Sequence, residues 1–76
     1  MPTIFDLFGM RYFFYAGDHE PIHVHLENGD GRAMVILDPV ISVEYNQGIK
    51  TKDLNKAIVM IETYKEEIIK VWSEHH

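Results

Sequence analysis

The run Asp18-His19-Glu20-Pro21-Ile22-His23-Val24-His25 holds three of the chain's five histidines and two carboxylates. Imidazole titrates near neutral pH and offers two ring nitrogens for metal binding or proton relay. On an extended strand His23 and His25, two residues apart, project from one face with Cβ atoms ~7 Å apart. Two imidazoles at that spacing can converge on one ion. His19, before the Pro21 turn, can fold back as a third ligand, with Asp18 or Glu20 adding an oxygen. Three protein ligands and one open position make the arrangement of a catalytic zinc site. Other divalent metals that accept imidazole fit it as well. The spacing matches none of the sharp zinc signatures, so no cofactor is fixed; a zinc-like divalent metal is the one these residues admit.

His19, His23 and His25 are also candidates for metal-free acid–base catalysis. Two imidazoles near pH 7 can act as base and acid when an internal hydroxyl cleaves a phosphodiester, as in RNA. Arg11 or Arg32, on adjacent strands, would then stabilise the developing charge. A third reading makes the three rings plain surface histidines. The residues leave all three open. Pro2 would become a secondary-amine base if Met1 were removed, but the helix that small tautomerases place after their first strand is not visible.

The elements that must position these groups follow from hydrophobic period. Thr3 to Phe5 reads as a short strand, Gly9 as a break, and Met10 to Tyr15 as a strand that is aromatic on both faces. Ala16-Gly17-Asp18 turns the chain. Ile22 to Leu26 alternates, with Ile22, Val24 and Leu26 on one face and the two histidines on the other. Asn28-Gly29-Asp30-Gly31 is a hairpin signal, Arg32 to Leu37 returns, and Asp38-Pro39 turns again. Val40 to Tyr45 is the last strand, with Ile41, Val43 and Tyr45 on one side.

Helical spacing then runs from Lys52 to about Glu74, with Thr51 as cap and Asp53 at the positive dipole end. Leu54, Ala57, Ile58, Ile61, Tyr64, Ile68, Val71 and Trp72 share its apolar face, and Tyr64 and Trp72 read as core aromatics. Lys65 lies in that stripe, its stem along the core and its ammonium in water. The expected fold is a single α+β domain over residues 1–76: an antiparallel four- to five-strand meander followed by one long C-terminal helix. The wide stripe, with Val59 outside it, and the aromatic outer face of the second strand point to a homo-oligomer or a small protein partner.

Composition narrows the function classes. The 76 residues carry a net charge of −5, no cysteine and 46% hydrophobic residues. A globular chain without disulfides or thiolate sites is expected. Residues 1–50 hold seven acidic side chains against three basic ones, so the acid lies with the histidine cluster. That disfavours a nucleic-acid binder, whose affinity comes mostly from Lys and Arg on phosphates, while leaving RNA open as a substrate. No run approaches the ~18 apolar residues of a membrane span, and no basic-then-apolar leader is seen. A cytoplasmic protein without membrane contact is the expectation.

The chain resembles a known family. Met1-Pro2-Thr3-Ile4, then Gly9, the aromatic run to Tyr15, and His19-x-Pro21-x-His23-x-His25 look like the small bacterial proteins grouped as domain of unknown function 4160. Glu66-Glu67-Ile68-Ile69-Lys70-Val71-Trp72 is similar to that family's helix end. Many members have a second proline where this chain has Ile22, and a His-Arg pair where it has Tyr64-Lys65. A basic role could therefore carry over to Lys65, but no role of the helical histidine. The resemblance implies His19, His23 and His25 as the distinctive positions. It also implies a gene arrangement like a toxin–antitoxin pair, hence a small cognate partner and an action on or near RNA. The competing class is a non-enzymatic binding module whose histidines hold a divalent metal or shape an interaction surface.

Overall fold

The computed structural model describes residues 3–76, so Met1 and the Pro2 amine lie outside the described residues. Five strands, β1 (Thr3–Leu7), β2 (Met10–Phe13), β3 (His23–Glu27), β4 (Arg32–Ile36) and β5 (Ser42–Gln47), precede two helices, α1 (Thr51–Thr63) and α2 (Lys65–His75). The strands form one antiparallel sheet in the order β1-β2-β3-β4-β5. This is the α+β meander expected, at the five-strand end of the range.

Local chemistry explains the reversals. Between β1 and β2, Phe8 and Gly9 both take positive φ (53° and 74°), as a two-residue type I′ hairpin requires. Between β3 and β4, Asn28 Oδ1 accepts the N–H groups of Asp30 (2.9 Å) and Gly31 (3.1 Å). Gly31 is needed there for space, because a Cβ would run into the Gln47 carbonyl. After β5, Asn46 Nδ2 donates to the Ile49 carbonyl (2.8 Å) and Asn46 Oδ1 accepts the Ile49 N–H (3.0 Å). That clamp delivers the chain into α1 one residue earlier than expected. Lys50 is the N-cap, without a side-chain bond, and Thr51 is already helical.

The core lies between one sheet face and the helices. Tyr12, Val24, Leu26, Ala33 and Val35 pack with Ala57, Ile61 and Ile68. The period-2 pattern of β3 thus sends Val24 and Leu26 inward and His23 and His25 to the opposite face. In β5 the alternation expected for Val43 and Tyr45 fails. Val43 pairs with the inward Val35 and Tyr45 with the outward Met34, so a bulge separates the two onto opposite faces.

The single long helix is corrected to two. Tyr64 (φ −108°, ψ 21°) interrupts it, although its N–H still donates to Met60 O (2.9 Å) and its carbonyl accepts from Ile68 N–H (3.0 Å). Thr63 Oγ1 donates back to the Val59 carbonyl (2.8 Å), a contact that bends helices. Ile61 before the bend and Ile68 after it are both buried. Trp72 is buried as expected, but Tyr64 is 43% exposed and is no core residue. On the outer face of β2 the chain itself covers Phe13, while Tyr15 just beyond the strand stays 46% exposed. Phe13 stacks on His25 (centroids 5.3 Å) and carries the Arg11 guanidinium 4.4 Å above its ring.

Ile61→Ala is expected to cost about 2–5 kcal/mol through the cavity it leaves. That is a large share of the about 4–11 kcal/mol available to a chain of this length. Urea unfolding of the variant checks this; a midpoint unchanged from wild type would place Ile61 outside the core.

Candidate metal centre

The segment between β2 and β3 brings Asp18 back over the outer face of β3. Its turn is closed twice, by Asp18 N–H on the Tyr15 carbonyl (3.0 Å) and by Tyr15 N–H on Asp18 Oδ2 (2.9 Å). The same oxygen lies 3.1 Å from His23 Nε2 and 3.2 Å from His25 Nε2. The three ligand atoms fall within 4.8 Å of one another. With metal–ligand bonds of about 2.0–2.2 Å, tetrahedral ligand atoms sit about 3.3 Å apart. The two nitrogen–oxygen separations are already close to that.

Hydrogen bonding sets the state of the rings. His23 Nδ1 lies 2.8 Å from the Pro21 carbonyl, which can only accept, so Nδ1 carries a proton and donates it. In a neutral ring this leaves Nε2 as a bare lone pair aimed at the Asp18 carboxylate. Meanwhile the Tyr15 N–H and an N–H from His25 would already fill the two lone-pair positions of Oδ2. A proton or a cation must stand between His23 and Asp18 to relieve the repulsion. The Pro21 carbonyl is also the kind of outer partner that fixes the tautomer of a ligating histidine.

Burial tunes the group further. His23 is 7% exposed, its ring edge-on to those of Trp72 and His25, each at 5.0 Å. His25 lies between Phe13 and Tyr15. Burial holds the His25 pKa below the ordinary imidazole value; the Asp18 charge and hydrogen bond oppose this, and the His23 charge adds to it. Burial alone would raise the Asp18 pKa. The Tyr15 N–H and the fields of His23 and His25 outweigh it and hold the carboxyl below its usual range. At neutral pH the pair thus favours an ionised carboxylate beside a neutral His25, whose Nε2 can bind metal once its proton moves to Nδ1.

Not every expected residue joins. His23 and His25 converge, and of the two carboxylates offered Asp18 supplies the oxygen. His19 is exposed and lies outside the group. It lines an adjoining cleft of about 620 Å³, between residues 16–22 and the end of α2, that reaches Asp18. Arg11 pairs with Glu27 (3.5 Å) and covers Phe13, and register places Arg32 opposite Glu27 rather than His25. Neither is built into the group. The helices pack on the Val24 face, so Lys65 has the sheet between it and the histidines. Trp72, His75 and His76 had no sequence signal tying them to β3. Trp72 meets His23, His76 stacks on Trp72 (4.0 Å), and both terminal histidines line the cleft.

A short antiparallel sheet backed by helices, with a two-histidine, one-aspartate group on its open face, defines the class of protein. Residues 9–73 match the family model described as domain of unknown function (DUF4160), and the chain belongs to that family. Asp18, His23 and His25 lie inside the matched span; His75 and His76 lie outside it. No curated protein and no solved structure matches the chain. Among the described residues no helix is long and apolar enough to cross a membrane.

The depressed His25 pKa carries a sign for stability. Unfolded His25 takes its proton near pH ~6.5 and folded His25 only at lower pH, so the unfolded state binds more protons in between. Metal-free protein should therefore keep its full stability above pH ~6.5 and lose some as pH falls through the folded pKa. Ring NMR titration with thermal melts from pH 7.5 to 5 measures both; a His25 midpoint above ~6.5 would contradict the site as described.

Proposed function

We propose that the protein is a binding module for a divalent transition metal, held by Asp18 Oδ2, His23 Nε2 and His25 Nε2. The observation that carries this is the His23 Nδ1–H bond to the Pro21 carbonyl (2.8 Å). In the neutral ring it leaves the Nε2 lone pair, 3.1 Å from a carboxylate oxygen, ready for a metal. Two imidazoles and a carboxylate suit zinc, iron(II), cobalt or nickel better than calcium or magnesium. Three protein ligands leave further coordination positions, and the cleft that reaches Asp18 gives a route to them. A metal held in this way can polarise a carbonyl or phosphoryl oxygen or lower the pKa of a bound water.

Within that reading the chain's own groups have separate tasks. The Tyr15 N–H holds the Asp18 carboxylate in place, Pro21 fixes the His23 tautomer, and Phe13, Tyr15 and Trp72 exclude water from the two rings. An RNA-directed, toxin–antitoxin-type role with a cognate partner draws its support from the family resemblance. The geometry adds only that an acid–base pair would use the same His23 and His25.

Calorimetric titration of metal-free protein with zinc tests the proposal. One ion per chain is expected, with affinity falling as pH drops, because protons compete with the metal for its ligand atoms. Asp18→Asn, His23→Ala and His25→Ala should each weaken binding by at least about 10–100-fold, the scale on which even outer-shell partners act. His19→Ala should leave it unchanged. Binding that survives His23→Ala but not His19→Ala would move the site into the cleft and overturn this assignment. Incubation of both metal-free and loaded protein with single-stranded RNA separates the two functions: RNA left intact by both ends the nuclease reading and leaves metal binding standing.

A further inference from the structure

Two hollows touch the metal-binding group. One, about 70 Å³, reaches His25 but neither Asp18 nor His23. The other is the cleft of about 620 Å³, which reaches Asp18 and is walled in part by His19, Glu20, Trp72, His75 and His76. No lysine or arginine stands among its described walls. Its fixed charge comes from Asp18 and Glu20 and draws a cation inward.

The histidines of the cleft are prepared as ligands. His75 Nδ1 lies 2.9 Å from the Val71 carbonyl, and His76 Nδ1 lies 2.9 Å from the Trp72 carbonyl. A carbonyl can only accept, so each Nδ1 carries a proton, and in the neutral ring Nε2 is left as a lone pair. Pro21 does the same for His23. Packing holds the two rings: His76 stacks on Trp72 (4.0 Å), and His75 meets Phe14 edge-on (5.5 Å). Trp72 in turn meets His23 at 5.0 Å, so one indole separates the cleft from the buried group. His19 is exposed. These three rings do not form a site at rest. Among the described residues, Asp18, His23 and His25 alone bring three ligand atoms within 4.8 Å of one another. Gathering the cleft rings on one ion would cost side-chain freedom, so an ion held there is held weakly.

We propose that the cleft is the loading and release path of the metal, with His19, His75 and His76 as transient ligands that pass a divalent ion between water and Asp18. This rests on the metal-binding reading above and adds how the ion enters and leaves. At each step a dative bond from an imidazole nitrogen forms while one to water, on the outer side, or to Asp18 Oδ2, on the inner side, breaks. The ion stays divalent and no electron moves. The position that three resting ligands leave open lets an incoming ring bind before an outgoing ligand departs. Ligands used only on the way lower the barrier in both directions and leave the equilibrium affinity alone. Fast exchange at undiminished affinity is the behaviour of a carrier that takes up and hands on its ion.

Trp72 is the single tryptophan of the chain and touches His23, so its fluorescence follows occupancy; cobalt(II) absorption gives a second readout. Stopped-flow mixing of the metal-free full chain with zinc or cobalt measures loading. Mixing the loaded chain with EDTA, extrapolated to zero chelator, measures release. His19→Ala combined with His75→Phe and His76→Phe, which keep the ring bulk, should slow both rates at least about tenfold, a small share of the roughly 10²–10⁴ that a tethered second binding group can give. Calorimetric affinity should stay that of the parent. His19→Cys, which keeps a metal ligand, should load faster than His19→Ala. Unchanged rates in a variant that still binds one ion would overturn the path and leave the metal group standing. So would an affinity that falls in step with slowed loading, since the cleft rings would then be resident ligands. A parent chain that takes up no metal ends the metal reading and the path together.

Discussion

A single oxygen, Asp18 Oδ2, is the constraint from which the rest of the site follows. Three nitrogens approach it: the Tyr15 backbone N–H and the Nε2 atoms of His23 and His25. Two of them can donate without conflict. The third, on His23, has one ring proton committed to the Pro21 carbonyl, so in the neutral ring it meets the oxygen lone pair to lone pair. Such a contact in a group that is mostly buried is costly unless positive charge enters it. Phe13 and Tyr15 flank the His25 ring, Trp72 meets His23, and one cleft reaches Asp18.

The fold makes this possible with few residues. One strand supplies both the core and the site, because its alternation sends Val24 and Leu26 to the helices and His23 and His25 away from them. The segment before it supplies the carboxylate, and its closing bonds to Tyr15 hold Asp18 in place. The end of α2 reaches past the sheet so that Trp72 serves Phe14 in the core region and His23 in the site. A substitution at Trp72 therefore acts on stability and on the histidine pair together, whereas His19 touches neither.

Much of the architecture was legible in the sequence because it depends on local signals. The alternation of Ile22 to Leu26, the Asn28–Gly31 hairpin and the change from period 2 to helical period each have a short-range cause. The bend at Tyr64 was not legible, since the apolar stripe continues through it and the back-bond from Thr63 is a choice between two partners for one hydroxyl. The β5 bulge was hidden for a similar reason: Val43 and Tyr45 keep an alternating pattern that the pairing does not obey. In the site, His23 and His25 followed from their strand spacing. Asp18 rather than His19 as their partner depended on how a turn closes. The approach of Trp72 was beyond reach, being a contact between residues almost fifty positions apart.

The proposed metal ion would join Asp18, His23 and His25. The most direct measurement is a crystal structure of zinc-loaded protein with an anomalous difference map at the zinc edge. A single strong peak is expected at about 2.0–2.2 Å from Asp18 Oδ2 and the two Nε2 atoms, with His23 Nδ1 still on the Pro21 carbonyl. A peak held instead by His19, His75 or His76 in the cleft, with the three groups merely hydrogen-bonded as before, would contradict it.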